Sequence, residues 1–474
     1  MTHAQCTTRK GKPLVLKGMT AQGRVVGRML EMNLQQTFAN PTGHNMEVVY
    51  TFPLPHEAVL MGIQVTLNGE VLHGKVSARA AARQQYEDAM ADGHSALLLS
   101  VQRNGTHTLE LGNLLAHETA VIKLSYVQVL KPEQGSLRLM LPTTLAPRYG
   151  DPIRGGKYEP HAVPESDPTV EYPFELVMRI EGEMAMSRIG SPSHPIQMQL
   201  LPAIGSGQTV IQEVRLAKAG YLDRDFILQF DRLSHPSQGL AAWDRLETDA
   251  NHPVGVIMAG FTPSWKLPDT PAPLSVKVLV DCSGSMQGDS IQAARRALLK
   301  IVDELNDTDR FSLSRFGSHL EHRTKSLWKT SSRTRAAARI WIENLLADLG
   351  GTEMAAALNS TLQLGTAGAS NLLLITDGEV ESIDDVLEAA RQSAHRLFVV
   401  GIGSSPAEHL LRRLATETGG SCEFVAPGEA VESAILRLYH RMRCPGVSQV
   451  EIRWPDGITP RSQTDLPKSL VSGQ

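Results

Sequence analysis

The chain runs to 474 residues, 42% of them apolar, with 46 basic and 50 acidic side chains and a formal net charge of −4. Its length accommodates about three domains, and the near balance of charge leaves no electrostatic footprint for nucleic acid or an anionic membrane surface. Aromatic residues, at 5%, also argue against base-stacking platforms.

The first ten residues, Met1 to Lys10, contain no apolar stretch of the kind a secretory signal needs. No run of about 18 uncharged apolar residues occurs, so no membrane-spanning helix is expected. Cys6, Cys282, Cys422 and Cys444 are too few and too scattered for a disulfide framework, and no CxxC spacing suggests zinc. Whether Cys422 and Cys444 meet is open. A reducing, cytoplasmic setting is the expectation, with secretion by a non-standard route left open.

Residues 13–132 read as β-rich. In Ala120–Val127, Ile122, Leu124 and Tyr126 alternate with Lys123 and Ser125, the period of a half-buried strand. Val48–Phe52 forms another strand, closed by Pro53 and Pro55, which cannot sit in a central ladder. Asn68-Gly69 and Asn104-Gly105 signal hairpin turns. Ser77–Met90, rich in Ala, Arg and Gln, reads as the one helix. Tyr50, Phe52, Tyr86 and Tyr126 are expected in the core, and Glu87 in a polar contact of the sandwich.

The same stretch carries Tyr50, Phe52-Pro53-Leu54-Pro55, Gly69 to Gly74, Tyr86-Glu87 and Ala89. Gly93, Ala96-Leu97, Leu111-Gly112-Asn113 and Glu118 follow in order before the Tyr126 strand. In this set and order residues 1–132 resemble a VIT domain, the module of vault proteins and inter-alpha-trypsin inhibitor heavy chains. That resemblance implies a β-sandwich used for interaction or scaffolding, without catalysis.

Residues 133–273 read as a second β unit packed on the first, with a linker. Strands are expected at Ser136–Pro142, Val170–Ile180, Thr209–Leu216, Asp225–Phe230 and Pro253–Gly260. Thr143–Gly156 is a loop rich in proline and glycine. Its Arg148, Tyr149 and Arg154 have the chemistry for an anion, although a solvated loop accounts for them as well. A polar connection begins at His235, and Pro268–Pro273 is a stiffened linker.

From Leu274 strands and helices alternate to Arg441, the pattern of a parallel sheet with helices on both faces. Val276–Val280 is apolar except at Lys277, close to a strand buried on both sides. Ser290–Leu305 is amphipathic. Helices are also expected at Thr334–Ala347, Glu353–Leu364, Ala407–Thr418 and Glu429–Arg441. The remaining strands fall at Phe311–Phe316, Asn371–Thr376, Arg396–Gly401 and Glu423–Val425.

Three segments of this region carry chemistry. Asp281, Ser283 and Ser285 put oxygen side chains at alternate positions just after the first strand. Gly350-Gly351-Thr352 offers a hydroxyl on a glycine loop, and Asp377 a carboxylate at the end of another buried strand. Such a donor set suits a small hard cation, which takes oxygen ligands and leaves positions for water or a partner. Alternatively, the two serines cap the helix beginning near Gly288 and Asp377 opens a turn. Cys282 points away from its neighbours and reads as a packing residue. Asp289 and Glu353 either tune the potential or serve the dipoles of the helices they begin.

With all three segments in order, residues 274–441 resemble a von Willebrand factor A domain with a complete metal-ion-dependent adhesion site. The resemblance implies a doubly wound α/β module that binds Mg²⁺, or Mn²⁺ or Ca²⁺, through Asp281, Ser283, Ser285, Thr352 and Asp377. An Asp or Glu from a partner protein would then complete the metal. A VIT domain followed by an A domain is itself the order of the inter-alpha-trypsin inhibitor heavy chain-like superfamily. Residues 442–474 open with an alternating strand, Gly446–Pro455, expected either to begin another β unit or to fold back on the middle one. The chain is either short here or a truncation.

The expected function is a non-enzymatic, metal-dependent interaction or scaffold protein. The alternatives are a regulatory adaptor of an AAA+ ATPase and, less well supported, a metal-assisted hydrolase. GxSxG, HExxH and GxxxxGK[ST] motifs do not occur, and His44, His56, His73, His94, His107 and His117 have no ligand spacing.

Overall fold

Val15–Val26 and Met29–Ala39 form a long hairpin at the centre of a nine-stranded sheet. The computed structural model describes residues 2–3, 5–8, 15–131, 136–145, 173–202, 210–231, 240–246, 254–260, 272–377 and 387–454, apart from breaks of one to five residues within these spans. Thr119–Val129 lies antiparallel between Met29–Ala39 and Val59–Leu67. Its Ile122, Leu124 and Tyr126 are buried and Lys123 is exposed, as the alternation predicts. A four-stranded sheet brings Gln5–Thr8, Met46–Phe52, His107–Leu114 and Ala96–Val101 together. Tyr50 and Phe52 are buried, their rings stacked 4.8 Å apart.

Asn68 and Gly69 both have left-handed backbones, φ 53° and 83°, in the two-residue turn joining Val59–Leu67 to Glu70–His73. The expected turn at Asn104-Gly105 lies outside the described residues. Tyr86, on the helix Arg79–Ala91, packs against Ala96 and Leu98. Glu87 is exposed on that helix rather than held in a polar contact of the sandwich, because one residue step, about 100° of helix, turns it away from the buried Tyr86 face.

Of the strands expected in a second β unit, those near Val170–Ile180 and Thr209–Leu216 join the sheet of the first, Leu137–Leu141 and Phe226–Asp231 pair in a separate three-stranded sheet that faces the same core, and Val254–Gly260 pairs with Leu240–Leu246. Pro173–Glu181 runs parallel to Val15–Val26, from Phe174 opposite Met19 to Glu181 opposite Val26. Ile211–Leu216 and Ile196–Leu201 extend the sheet beyond it. Phe174, Met178, Val214 and Phe230 belong to one buried cluster with Met19, Leu34, Tyr50 and Tyr126. The physical reason is the edge of Val15–Val26: a twelve-residue strand left unpaired would expose a row of backbone donors and acceptors. Arg148, Tyr149, Arg154, His235 and Pro268–Pro271 lie outside the described residues.

In the C-terminal half, strands β1 (Ser275–Asp281), β2 (Arg310–Phe316), β3 (Leu320–His322), β4 (Asn371–Thr376), β5 (Arg396–Ile402) and β6 (Ser421–Val425) form a sheet of order β3-β2-β1-β4-β5-β6. All neighbours are parallel except β3 on β2. Helices α1 (Asp289–Glu304), α2 (Ser332–Glu343) and α5 (Val431–Arg443) cover one face. There Val278, Val280, Leu373 and Ile375 meet Ala294, Leu298, Ile342 and Leu438. Helices α3 (Met354–Gln363) and α4 (Glu408–Glu417) cover the other, where Leu279, Leu372 and Leu374 meet Leu358 and Leu414. This double cover explains why β1 and β4 are apolar on both faces.

Two further expectations change. Helix α2 stops at Glu343 rather than Ala347, where Asn344 turns back with its Nδ2 donating to the Ile340 carbonyl. The freed residues 344–353 become the loop that carries Thr352. In the C-terminal segment, Val447 makes an isolated β-bridge, residues 450–454 form no strand, Ile452 is exposed, and the rest of the expected strand Gly446–Pro455 lies outside the described residues. Residues 455–474 lie outside the described residues.

Candidate metal centre

Asp281 ends β1, and Asp377 directly follows β4, the neighbour of β1 in the sheet. From β1 the chain winds to β2 on one side and reaches β4 on the other, so the site lies at the switch point where open α/β sheets hold ligands. The fully buried Asp281 carboxylate is fixed at both oxygens. Its Oδ1 accepts the Ser283 N–H at 2.9 Å, and its Oδ2 accepts the Thr376 hydroxyl at 2.7 Å. Ser283 and Ser285 turn their hydroxyls toward one another, 3.1 Å apart.

The serines do not cap α1. Ser283 precedes and Ser285 lies within a single 3-10 turn, Gly284–Met286, that ends before α1, and the N-cap of α1 is Gly288, at φ 85° with no side-chain cap bond. Their hydroxyls therefore remain available as ligands. Cys282, between the two donors, faces the apolar core on the α1 side. Burial pushes its thiol up to about 12, which makes it a packing residue. Cys422 and Cys444 form no disulfide with one another.

Burial, then the neighbouring Asp377 charge, pushes Asp281 up to about 6, against the hydrogen bonds from Ser283 and Thr376, which favour its ionised form. Two carboxylates thus crowd one point with two hydroxyls beside it. Among the described residues no group of three or more His, Cys, Asp or Glu converges anywhere. This donor set fits a hard divalent cation, which takes hydroxyl and carboxylate oxygens and relieves the repulsion between the two acids.

Thr352 arrives by a different route. Its loop is stitched to the metal loop through the backbone: Leu349 N–H to the Cys282 carbonyl at 3.0 Å, and Gly284 N–H to the Gly350 carbonyl at 3.0 Å. Gly350, at φ 75°, makes the bend. The structure thus places Asp281, Ser283, Ser285 and Asp377 at one strand-end cluster and brings the Thr352 loop against it. Glu353 is the residue before α3 and Asp289 lies in the first turn of α1, both exposed. Thr376 was not singled out from sequence. Its signal was its place beside Asp377, at the end of an otherwise apolar strand.

Residues 16–126 match the vault protein inter-alpha-trypsin domain family, and residues 274–424 match the von Willebrand factor type A domain family. The chain is 26% identical to human von Willebrand factor A domain-containing protein 5A, covering 98% of this chain and 62% of that protein. It is 24% identical to a von Willebrand factor A domain-containing protein of Dictyostelium discoideum, over 93% of this chain and 50% of that one. Mouse protein mono-ADP-ribosyltransferase PARP4 is also 24% identical, over 93% of this chain and 22% of its own length. The chain therefore spans only part of each of these relatives. Among solved structures, a von Willebrand factor type A protein from Catenulispora acidiphila is 23% identical, covering 40% of this chain and 45% of that one with a TM-score of 0.33. Proximal thread matrix protein 1 of the mussel byssus, with a zinc-occupied MIDAS motif, is 17% identical, covering 35% and 46% with a TM-score of 0.29.

Proposed function

The chain belongs to the proteins that join a VIT domain to a von Willebrand factor A domain, and from that membership we propose that it is a non-enzymatic interaction protein whose A domain grips an acidic group of a protein partner through a divalent metal. The observation that carries this reading is the Asp281–Asp377 pair at the sheet's switch point, with the Ser283 and Ser285 hydroxyls beside it. A bound Mg²⁺, Mn²⁺ or Ca²⁺ would supply an open coordination position for a partner's carboxylate.

The residues divide the work. Ser283 and Ser285 hold the ion through their hydroxyls. Asp281 holds it directly or through water, oriented by Ser283 N–H and Thr376. Thr352 coordinates when the site is engaged, and Asp377 balances charge and orients a water. Because the serine and threonine hydroxyls are neutral donors and Asp377 acts through water, the ion would keep enough charge to take a carboxylate from outside.

Beside the sheet, two serine hydroxyls bracket one histidine ring. Ser314 Oγ and Ser360 Oγ flank the two His322 nitrogens at 2.8 and 2.9 Å, and Ser314 is fully buried, a structural bridge from β2 to α3. No described helix is long and apolar enough to cross a membrane.

The test is capture from native cell extract in Mg²⁺ and in EDTA, with wild type and Asp281→Asn. A partner retained only by wild type in Mg²⁺ is the expected result. Identical capture in all four conditions would overturn the reading and turn attention to the β sheets.

A further inference from the structure

Resting on the metal-site reading above, we infer that Ser318 is a positioning residue for the site: it sets where Thr352 stands relative to Ser283 and Ser285. Ser318 follows β2 and is exposed. Its Oγ accepts the Gly351 N–H at 2.7 Å, and its own N–H donates to the Leu349 carbonyl at 2.7 Å. One residue earlier, the Gly317 carbonyl accepts the Glu353 N–H at 2.8 Å. Thr352 is therefore held through both of its chain neighbours, Gly351 and Glu353, by the pair Gly317-Ser318.

The glycines of the loop are shaped to this hydroxyl. A Cβ on Gly350 would lie 2.9 Å from Ser318 Oγ, and one on Gly351 would lie 3.3 Å from it. A Cβ on Gly317 would meet Leu349 Cβ at 2.4 Å and its carbonyl oxygen at 2.6 Å. The two loops thus nest with room for one small hydroxyl residue between them. That hydroxyl is spent on a backbone N–H, which leaves the Thr352 hydroxyl free of that task.

Because Ser318 acts through Thr352, the two should not act independently. The experiment is a double-mutant cycle on the full chain, with Mn²⁺ as the probe. Mn²⁺ affinity and the number of waters on the bound ion are read by electron paramagnetic resonance and water proton relaxation. Ser318→Ala is expected to weaken Mn²⁺ roughly five-fold, the net worth of one hydrogen bond, and to admit an extra water. Ser318→Thr, which keeps the hydroxyl, should restore both. Thr352→Ala should do the same as Ser318→Ala, and the double variant should be no worse than either single one. Thermal stability in EDTA should fall only slightly with Ser318→Ala, because Gly351 is exposed and water can replace the lost partner of its N–H.

Additive losses, or wild-type affinity and hydration in Ser318→Ala while Thr352→Ala weakens binding, would overturn the role of Ser318 and leave the metal site standing. Absence of any Mn²⁺ binding that Asp281→Asn removes would overturn the metal-site reading and this inference together.

Discussion

At the scale of single residues the site is governed by Asp281. Its carboxyl is pushed up to about 6 by burial and by Asp377. In the metal-free protein the folded form therefore keeps a proton that the unfolded chain, with an ordinary carboxyl, has already lost between about pH 4 and 6. The unfolded state binds fewer protons there, so stability falls as pH rises through that window and stays reduced above it. The shift corresponds to something on the order of 3 kcal/mol. Urea unfolding in EDTA at pH 4.5 and pH 7 should show this fall in wild type and not in Asp281→Asn. A divalent cation competes with the same proton, so its affinity should drop about ten-fold per pH unit below pH 6. A titration of Mn²⁺ binding against pH checks it, and a flat profile would mean that Asp281 does not face the ion.

Among the elements, β1 holds a conflict that its sequence announces but does not resolve. Lys277 is fully buried in the middle of the sheet, on the face toward α3 and α4. Its Nζ donates to the Leu362 carbonyl at 2.6 Å and lies 3.2 Å from His395 Nε2. Burial lowers the amine to about 8, from an ordinary value near 10.5. Between those values the unfolded lysine carries a proton that the folded one has released, so stability should rise with pH from about 8 to 10.5. Lys277→Met should abolish that rise. It should also match or exceed wild-type stability at pH 7, because the volume is similar and His395 Nε2 remains 3.1 Å from the Leu362 carbonyl. Urea midpoints of both proteins at pH 7, 8.5 and 10 decide it, and a Met variant that unfolds outright would show the amine to be structurally required.

On the scale of the whole molecule the N-terminal half is one β structure. Val15–Val26 lies between Met29–Ala39 and Pro173–Glu181, the latter more than 140 residues away in sequence. Phe174, Met178 and Phe230 fill the same core as Met19 and Tyr126. A fragment ending at residue 132 would leave Val15–Val26 as a bare edge over an open core, and is expected to aggregate or stay poorly packed. A fragment carrying residues 1–262 should fold. Amide NMR spectra of the two fragments test this: a well-dispersed spectrum from 1–132 would refute it. Arg138, on the strand Leu137–Leu141, forms an ion pair with Glu429 just ahead of α5, and so links this half to the A domain.

What could be read without coordinates was whatever depends on neighbours in sequence. The buried runs of β1 and β4, the oxygen donors at Asp281, Ser283 and Ser285, and the Asn68-Gly69 turn each follow from a few adjacent residues, because strand burial, loop chemistry and turn dihedrals are local. The order of the three metal-loop segments added the family resemblance. Tertiary structure alone decided the rest. It made Thr376 the second anchor of Asp281, set the Ser318 hydroxyl against Gly351, gave Lys277 its partners, ran Pro173–Glu181 beside Val15–Val26, and left residues 450–454 without a strand despite their alternation. Each of these depends on which distant segment supplies a hydrogen-bond partner or a covering face. Alternation says only that a strand would have two unlike sides; pairing and register are settled when the whole core is assembled.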